Sequence, residues 1–168
     1  EFALMLDGIE KVDEIWAVAR RADRLTELGK ELKTPVKALP LDLSGENGVS
    51  EYKKILNDEE VNAKMLVNCA GYGKFNHYEN IPPEVNQNMI NLNVKAVVGM
   101  IDATLPKIGV GGRIINIASC AGFQPIPYIN IYAATKAFVL QYSRALNVEL
   151  KYRGITVTAV CPYWTKTE

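Results

Sequence analysis

The sequence has no excess of positive or negative charge, and this balance argues against several classes of partner. Its 19 lysines and arginines are matched by 19 aspartates and glutamates, and no basic run occurs. Binding to nucleic acid or to an anionic membrane would need a positive patch. No apolar stretch approaches the roughly 20 residues of a membrane span, and the N-terminus lacks the order of a secretory signal. We therefore expect a soluble cytoplasmic protein whose partner is a small molecule.

Cysteine and histidine are scarce as well. The cysteines Cys69, Cys120 and Cys161 are far apart and odd in number, which argues against a disulfide framework and a zinc site, so we expect thiols in or near a core. The single histidine, His77, is predicted to be a loop residue rather than a catalyst, and no metal site is predicted. At 168 residues and 48% hydrophobic content, the chain is long enough for one ordinary domain with a real core.

Apolar runs alternate with segments of helical spacing along the chain. Strands are predicted over 14–19, 36–41, 64–69, 113–118 and 155–160. Helices are predicted over 1–10, 22–33, 46–57, 84–105 and 130–152, with a turn at 109–112 and a helix-ending Gly154. Because each strand is a near-continuous apolar run, the pattern predicts an α/β fold with a parallel sheet that is covered by helices on both faces.

Ligands of such a sheet gather beyond the carboxyl ends of its strands, so the residues that follow each strand are candidates for a site. In chain order these residues are Arg20 with Arg21, Asp42, Ala70 with Gly71, Ser119, and Pro162. Any one of them could be an ordinary turn residue or a solvated charge. Together, at the same edge of a sheet, they predict a binding site.

A tyrosine and a lysine stand four residues apart at the start of the last long helix. This spacing stacks Tyr132 and Lys136 on one helical face. A tyrosine with its ordinary pKa of about 10 is a poor acid at neutral pH, but a nearby lysine cation favours the phenolate and brings proton transfer within reach. The pair is therefore a candidate general acid and base, although the same spacing occurs where a half-buried aromatic lies beside a solvated lysine.

Further residues complete a pattern with this pair. Asn68-Cys69-Ala70-Gly71 follows the third predicted strand, Asn93 lies on the next helix, and Ser119 follows the fourth strand. Together with Tyr132 and Lys136, these residues follow an order that resembles that of the short-chain dehydrogenase/reductase family. The resemblance extends over essentially the whole chain. In that family N-x-A-G is a turn beside the cofactor, and Asn, Ser, Tyr and Lys form the catalytic tetrad. The resemblance implies a Rossmann-type doubly wound parallel sheet and an oxidoreductase, with Asn68, Ala70 and Gly71 on the cofactor side.

The resemblance also implies a role for each tetrad residue in hydride transfer from a nicotinamide. Tyr132 protonates the nascent alkoxide or, in reverse, takes the proton of an alcohol. Ser119 holds the carbonyl oxygen where negative charge develops. Lys136 lowers the tyrosine pKa and binds the ribose hydroxyls, and Asn93 anchors a water that links Lys136 to solvent.

On the helix predicted over 84–105, Asn93 matches the family, whereas the nearby Asn88 and Asn91 do not. Asn93 is followed three places on by Ala96, the family's small residue. Asn88 and Asn91 have no such neighbour, so we interpret them as polar residues of the helix surface.

The family's glycine-rich turn between its first strand and first helix is not found in this sequence. Gly109, Gly111 and Gly112 precede a strand and cannot hold a pyrophosphate at a helix N-terminus. Because residues 1–10 look like the back half of a helix, we expect that the chain lacks the first strand, the phosphate loop and the last elements of the fold. The expectation is one partial dinucleotide-binding domain, 1–168, whose activity belongs to a longer parent chain.

The residues after the first two predicted strands indicate the cofactor. An acid there binds the ribose 2′-hydroxyl of NAD, whereas a base suits the 2′-phosphate of NADP. Ala19 stands in place of the acid, and Arg20 and Arg21 follow it with guanidinium groups that favour phosphate. NADP(H) is therefore the preferred cofactor, with NAD(H) possible, unless both arginines are only exposed charges. The resemblance further implies that Asp42 and Leu43 flank the adenine.

The resemblance is greatest to the branch of 3-oxoacyl and 17β-hydroxysteroid reductases. It implies that Pro162 and Thr167 lie beside the cofactor, with Thr167 on the nicotinamide amide. The side chains expected to line an apolar substrate pocket are Phe123, Tyr128, Tyr163 and Trp164, although core packing would equally explain the first two. We expect an NADP-dependent oxidoreductase that reduces an apolar ketone or a 3-oxoacyl thioester. The alternatives are a non-catalytic dinucleotide-binding or scaffold protein that retains the fold, and an unstable gene product.

The two long predicted helices carry apolar side chains on more than one face. These side chains are Met89, Leu92, Val97 and Met100 in one helix, and Phe138, Val139, Leu140 and Leu146 in the other. One stripe of each helix must face the sheet. The surplus predicts a second buried surface, as in family members that pair these helices across a twofold axis, and therefore a homodimer or homotetramer.

Overall fold

Strands alternate with helices in the structure, as the apolar runs predict. The structure is a computed structural model that describes residues 2–9 and 12–163. Within these residues the strands are β1 (Ile15–Ala19), β2 (Val36–Pro40), β3 (Ala63–Asn68), β4 (Ile108–Ile117) and β5 (Thr156–Val160). The α-helices are α1 (Phe2–Ile9), α2 (Ala22–Glu31), α3 (Gly48–Asp58), α4 (Pro83–Ile90), α5 (Ala96–Thr104) and α6 (Asn130–Glu149). Of the predicted strand ends, only the start of β4 is displaced by several residues.

The strand pairs of the structure are parallel, which confirms the predicted α/β arrangement. β1 pairs with β2, and β4 lies between β3 and β5. The strands form two sheets, because no strand within residues 2–9 and 12–163 bridges β1 and β3. Each sheet presents the carboxyl ends of its strands at one edge, where ligands of parallel sheets bind.

Helices α3, α5 and α6 pack on the strands and bury two apolar cores. α5 and α6 cover β3, β4 and β5 in a core that includes the fully buried Ile114. α3 and α5 cover β1 and β2 in a second core with Leu39 and Leu56. Val36 and Leu39 point to opposite sides of β2, and Val36 lies within van der Waals reach of Gly29 in α2. Helix α2 therefore covers the other face of β2.

The second face of the three-stranded sheet has only partial cover among the described residues. Met65, Val67, Ile115 and Ile117 alternate with the buried residues of β3 and β4, and they are half-buried. α5 and α6, which connect these strands along the chain, both pack on the face that carries Ile114, so neither of them covers the second face.

The segment 109–112 belongs to β4 and is not the separate turn that its glycines predicted. The register of β3 on β4 shifts between Ala63 and Met65, so the extra residues of β4 bulge out of the strand. Gly111 has a φ of 82°, and its N–H donates to the Gly154 carbonyl at 2.9 Å. The glycines therefore allow a bulge inside the strand, which a local sequence pattern cannot distinguish from a turn.

The helix predicted over 84–105 is interrupted by one turn of a different kind. A π-helical turn, Asn91–Lys95, joins α4 to α5 and contains Asn93. The helix predicted over 130–152 continues past α6 as a 3₁₀ turn, and Gly154 ends it with a φ of 66°. Among the helices that the structure describes, none is long and apolar enough to cross a membrane.

Candidate active site

Tyr132 and Lys136 lie together at the start of α6, as their spacing predicts. The Lys136 ammonium is 5.6 Å from the centroid of the Tyr132 ring. Only 5% of Lys136 is exposed, and its Nζ donates a hydrogen bond to the Ile117 carbonyl oxygen at 2.7 Å. Burial lowers the pKa of this ammonium from its ordinary value of 10.5 to about 8. The lysine is therefore a buried cation under the carboxyl end of β4, not a solvated surface charge.

Asn93 is buried at the centre of the π turn and contacts the same region. Its Oδ1 accepts from the Tyr72 N–H at 3.1 Å, and its Nδ2 donates to the Tyr72 carbonyl at 2.9 Å and to Thr135 Oγ1 at 3.0 Å. A methyl group on Gly71 would lie 2.9 Å from Asn93 Oδ1 and 3.4 Å from Lys136 Nζ. The backbone at Gly71 therefore approaches Asn93 and Lys136 closely, and the structure brings both to the predicted cofactor turn.

Ser119 is buried just beyond the end of β4. Its Oγ accepts from the Ala121 N–H at 3.1 Å, and its own hydroxyl proton can be donated to a further acceptor. The Cys120 N–H donates to the Pro162 carbonyl at 3.1 Å, which brings the end of β5 beside the end of β4. Ser119, Pro162 and Lys136 therefore share the carboxyl edge of the three-stranded sheet.

The 3₁₀ turn Cys120–Phe123 crosses α6 in direct contact with its backbone. A methyl group on Gly122 would lie 2.8 Å from the carbonyl carbon and oxygen of Lys136 and 2.9 Å from the Ala137 nitrogen. The next residue, Phe123, is 65% exposed. The turn that starts at Ser119 therefore rests on the helix at Lys136 itself.

The cysteines at this edge are more exposed than predicted. Cys69 follows β3 and is exposed, so its prediction as a core thiol is wrong, while Cys120 and Cys161 are partly exposed. All three lie just beyond a strand end, where the cover provided by the helices stops. Burial raises the pKa of the Cys161 thiol above its usual value.

Asn68, at the end of β3, starts a hydrogen-bonded connection across the sheet. Its Nδ2 donates to Asn116 Oδ1 at 2.9 Å, and Asn116 Nδ2 donates to Ser143 Oγ at 2.9 Å. Ser143 Oγ donates to the Val139 carbonyl at 2.6 Å. This connection joins β3 through β4 to α6 and satisfies the fully buried Asn116 and Ser143. The sequence analysis missed both residues, although a polar side chain inside the apolar run of β4 was a signal.

Arg20 and Asp42 are exposed at the carboxyl ends of β1 and β2. The side chain and the N–H of Ser44 donate to the Asp42 carboxylate at 2.7 and 3.0 Å. These hydrogen bonds hold the pKa of Asp42 below its usual value, with a smaller effect from the Arg20 cation. Arg21 is exposed before α2, and Leu43 is half-buried against the second core. An exposed cation and a carboxylate at neighbouring strand ends fit the phosphate and hydroxyl groups of a nucleotide.

A chain of hydrogen bonds that the sequence analysis did not predict connects Asp42 with Asn93. Ser44 Oγ, which donates to Asp42, accepts from Asn88 Nδ2 at 3.0 Å. Asn88 Oδ1 in turn accepts from the Tyr72 hydroxyl at 3.0 Å. We call Asp42, Ser44, Asn88, Tyr72 and Asn93 the polar chain. Asn88 is thus a link between distant segments, and its interpretation as a surface residue is wrong because its partners lie 16 and 44 residues away in the sequence.

Phe123 and Tyr128, predicted to line one substrate pocket, border two different pockets. Phe123 borders a pocket of about 550 Å³ between the loop 122–127 and the start of α6. Tyr128 borders a smaller pocket of about 210 Å³ with Phe75 and His77. His77 lies in a loop, as predicted, with its ring edge-to-face on Tyr128 at 4.8 Å. Tyr128 has a φ of 65°, which is rare for a bulky residue, so its surroundings hold it in place.

The last residues predicted for the site follow β5. Tyr163 is exposed after the half-buried Pro162. Trp164 and Thr167 lie outside the described residues, and their roles stay predictions.

Two comparisons of sequence relate the chain to known proteins. The family model described as short chain dehydrogenase matches residues 4–168. The very-long-chain 3-oxoacyl-CoA reductase-B of Danio rerio is 33% identical over 159 residues, which are 90% of this chain and 51% of that protein. The chain therefore spans about half the length of this relative.

Solved structures share the arrangement of strands and helices. A short-chain dehydrogenase from Sphingobium yanoikuyae in complex with NADPH matches with a TM-score of 0.82 and 34% identity over 91% of this chain. The bulky-bulky ketone specific alcohol dehydrogenase from Comamonas testosteroni matches with a TM-score of 0.79 and 30% identity over 89% of this chain. In both cases the match covers 62% of the other chain.

Proposed function

The chain belongs to the short-chain dehydrogenase family, as its motifs predict, and we propose that the whole protein reduces a ketone to an alcohol with a nicotinamide cofactor. The proposed substrate is an apolar ketone or a 3-oxoacyl compound. The names of two similar proteins, a 3-oxoacyl-CoA reductase and a ketone-specific alcohol dehydrogenase, support this class. The observation that carries the proposal is the buried Lys136 ammonium beside the Tyr132 ring.

In the proposed reaction, Tyr132 and Ser119 act on the carbonyl oxygen. When bound, the reduced nicotinamide supplies a hydride to the carbonyl carbon. Tyr132 gives its hydroxyl proton to the oxygen, which completes the alcohol. Ser119 donates a hydrogen bond to the same oxygen. Its Oγ also accepts a hydrogen bond from the Ala121 N–H, which orients the hydroxyl for this contact.

Lys136 supplies the positive charge that this proton transfer needs. One N–H of the ammonium is used at the Ile117 carbonyl, so the remaining donors are available to the phenol oxygen and to ribose hydroxyls. With a pKa of about 8, the side chain is mainly a cation at neutral pH. A cation in this place stabilises the phenolate that remains when the proton leaves Tyr132.

NADP(H) is the proposed cofactor, with NAD(H) as the weaker alternative. Arg20 is exposed at the end of β1, where its guanidinium can bind a 2′-phosphate through two hydrogen bonds, and Ala19 offers no competing acid. Asp42 and the exposed backbone at Gly71 would hold the adenosine and ribose. The NADPH in the similar Sphingobium yanoikuyae structure agrees with this choice. In this proposal residues 1–168 belong to a single dinucleotide-binding domain.

We also propose that the whole protein is a homodimer or homotetramer. The apolar surplus that predicted this assembly is mostly buried within the chain itself, which contradicts that argument for Met89, Val97, Met100, Val139 and Leu140. The proposal therefore rests on Phe138. Phe138 on α6 is 41% exposed, and its ring stacks on Tyr142 with centroids 5.6 Å apart. Tyr142 is partly buried against the first core, and an exposed aromatic side chain such as Phe138 is typical of a surface that packs against another chain. Pairing of α6 with its copy would remove this aromatic pair from water.

The variant Tyr132→Phe tests the proposed proton donor. It removes one hydroxyl and keeps the ring beside Lys136. We expect ketone reduction with NADPH to fall by about a hundredfold or more, while NADPH binding, measured by fluorescence titration, stays close to that of the wild type. Tyr142→Phe removes a hydroxyl elsewhere on α6 and should retain activity.

Two outcomes would contradict the proposal in different ways. Activity of Tyr132→Phe within a few-fold of the wild type would show that another group donates the proton. A wild-type protein that binds NADPH and reduces no ketone or 3-oxoacyl thioester would favour a non-catalytic dinucleotide-binding protein.

A further inference from the structure

The side-chain donors of Tyr72, Asn88 and Ser44 in the polar chain all point toward the Asp42 carboxylate. The Tyr72 hydroxyl donates to Asn88 Oδ1 at 3.0 Å and shares this proton with the Val85 carbonyl at 3.1 Å. Asn88 Nδ2 donates to Ser44, and Ser44 Oγ donates to Asp42. Burial raises the pKa of the Tyr72 phenol, so its hydroxyl keeps its proton and remains a donor at neutral pH. Each bond in such a chain polarises the next, and an ionised acceptor at the end strengthens it.

At the other end, Tyr72 holds the residues that carry the proposed chemistry. Its N–H and its carbonyl both bond with the Asn93 amide group. Asn93 also donates to Thr135 Oγ1, and this hydroxyl donates to the Tyr132 carbonyl at 2.7 Å. Through Tyr72 and Asn93, the polar chain therefore reaches the first turn of α6, where Tyr132 lies.

The polar chain is not needed to hold the sheet and α6 together. Asn68, Asn116 and Ser143 already make that connection in the interior, from β3 through β4 to α6. The polar chain instead begins at an exposed carboxylate at the ligand edge and ends at a buried amide. The Arg20 cation interacts electrostatically with both Asp42 and Tyr72. A ligand bound at Arg20 and Asp42 would therefore act on the chain at its outer end.

We propose that Tyr72 and Asn88 are positioning residues, through which the adenosine end of a bound cofactor fixes Asn93 and the start of α6. This inference rests on the proposed function, because it needs a dinucleotide whose adenosine reaches Arg20 and Asp42. A ligand that fixes the Asp42 carboxylate also fixes its donor Ser44, and through Asn88 it fixes the Tyr72 hydroxyl. The Tyr72 backbone then holds the Asn93 amide in one orientation.

Adenosine 2′,5′-bisphosphate, which carries the adenosine half of NADPH without the nicotinamide, provides the test. Amide hydrogen exchange of the whole protein, followed by mass spectrometry, measures the Tyr72 N–H that donates to Asn93. In the wild type, saturating bisphosphate should slow exchange at residues 71–73 by about tenfold, the effect of roughly one net hydrogen bond. In Tyr72→Phe and Asn88→Ala the bisphosphate should still bind but give little protection there. Asn91→Ala, a neighbouring asparagine outside the polar chain, is the matched control and should behave as the wild type.

A second measurement reports on turnover. Reduced nicotinamide mononucleotide lacks the adenosine half, so adding the bisphosphate beside it should raise ketone reduction by the wild type and by Asn91→Ala. Tyr72→Phe should lose this stimulation, so that its rates with and without the bisphosphate are equal. A merely structural role of Tyr72 would lower both rates equally.

The outcomes separate this inference from the proposed function. Bisphosphate binding to the wild type without protection at residues 71–73, or equal protection in Tyr72→Phe, would overturn the inference alone. A wild type that does not bind the bisphosphate would overturn the proposed cofactor and the inference with it.

Discussion

Replacing Lys136 by methionine should stabilise the protein at neutral pH while removing the group on which the proposed reaction depends. The lysine is 5% exposed, and burial lowers its pKa from 10.5 to about 8. This difference corresponds to about 3 kcal/mol by which the buried ammonium destabilises the fold below pH 8. Methionine keeps an apolar stem of similar length and has no charge to bury.

The expected gain is smaller than this value, because the variant also loses a hydrogen bond. The Lys136 ammonium donates to the Ile117 carbonyl, and such a bond contributes about 1 kcal/mol. The free energy of unfolding of Lys136→Met should therefore exceed that of the wild type by about 2 kcal/mol at neutral pH. As the pH rises from about 8 to 10.5, the folded wild type releases a proton that the unfolded chain still holds, so the destabilisation by Lys136 is progressively lost. The advantage of the variant should shrink across this window and reverse near its upper end.

Urea unfolding of the cofactor-free protein at a series of pH values measures this difference. Lys95→Met, which changes an exposed lysine of the π turn, is the matched control variant. A difference between Lys136→Met and the wild type that stays constant across the alkaline window would refute the reasoning, because Lys136 would then ionise alike in the folded and unfolded chains.

The cofactor and the assembly give two further tests. Arg20→Ala combined with Ala19→Asp should weaken NADPH binding by roughly ten- to a hundredfold and improve NADH binding in paired titrations, whereas an unchanged NADPH affinity would place the phosphate elsewhere. Phe138→Glu should convert the proposed oligomer into a monomer in light scattering, and Val148→Glu, exposed elsewhere on α6, should not. A wild type that is monomeric at micromolar concentration would contradict the proposed assembly.

Residue spacing predicted those parts of the candidate site whose members share one helix or follow a strand. Tyr132 and Lys136 needed only the period of a helix to be placed together. Ser119 and Asp42 were placed at ligand edges because strands in a parallel sheet end on the same side. These rules are local or topological, so they hold without knowledge of which side chains touch.

The contacts of Lys136 and Asn88 could not be predicted in the same way. The spacing of Tyr132 and Lys136 does not show that the ammonium turns under β4 to the Ile117 carbonyl, which is what buries it. Asn88 has the pattern of a polar surface residue, and only the folding of Ser44 and Tyr72 onto its helix makes it a link. Such contacts depend on the packing of segments that are distant in the sequence.

The contact of the 3₁₀ turn Cys120–Phe123 with α6 also determines which residues of this site can be varied in protein engineering. At Gly122 any side chain would collide with the Lys136 backbone, 2.8 Å from the position of its first carbon, and would push the turn that carries Ser119 off the helix. The adjacent Phe123 is mostly exposed and borders the larger pocket. A library that aims to change the substrate range should therefore randomise Phe123 and keep glycine at 122. New side chains would then reach the pocket, while Ser119 and Lys136 keep their positions relative to each other.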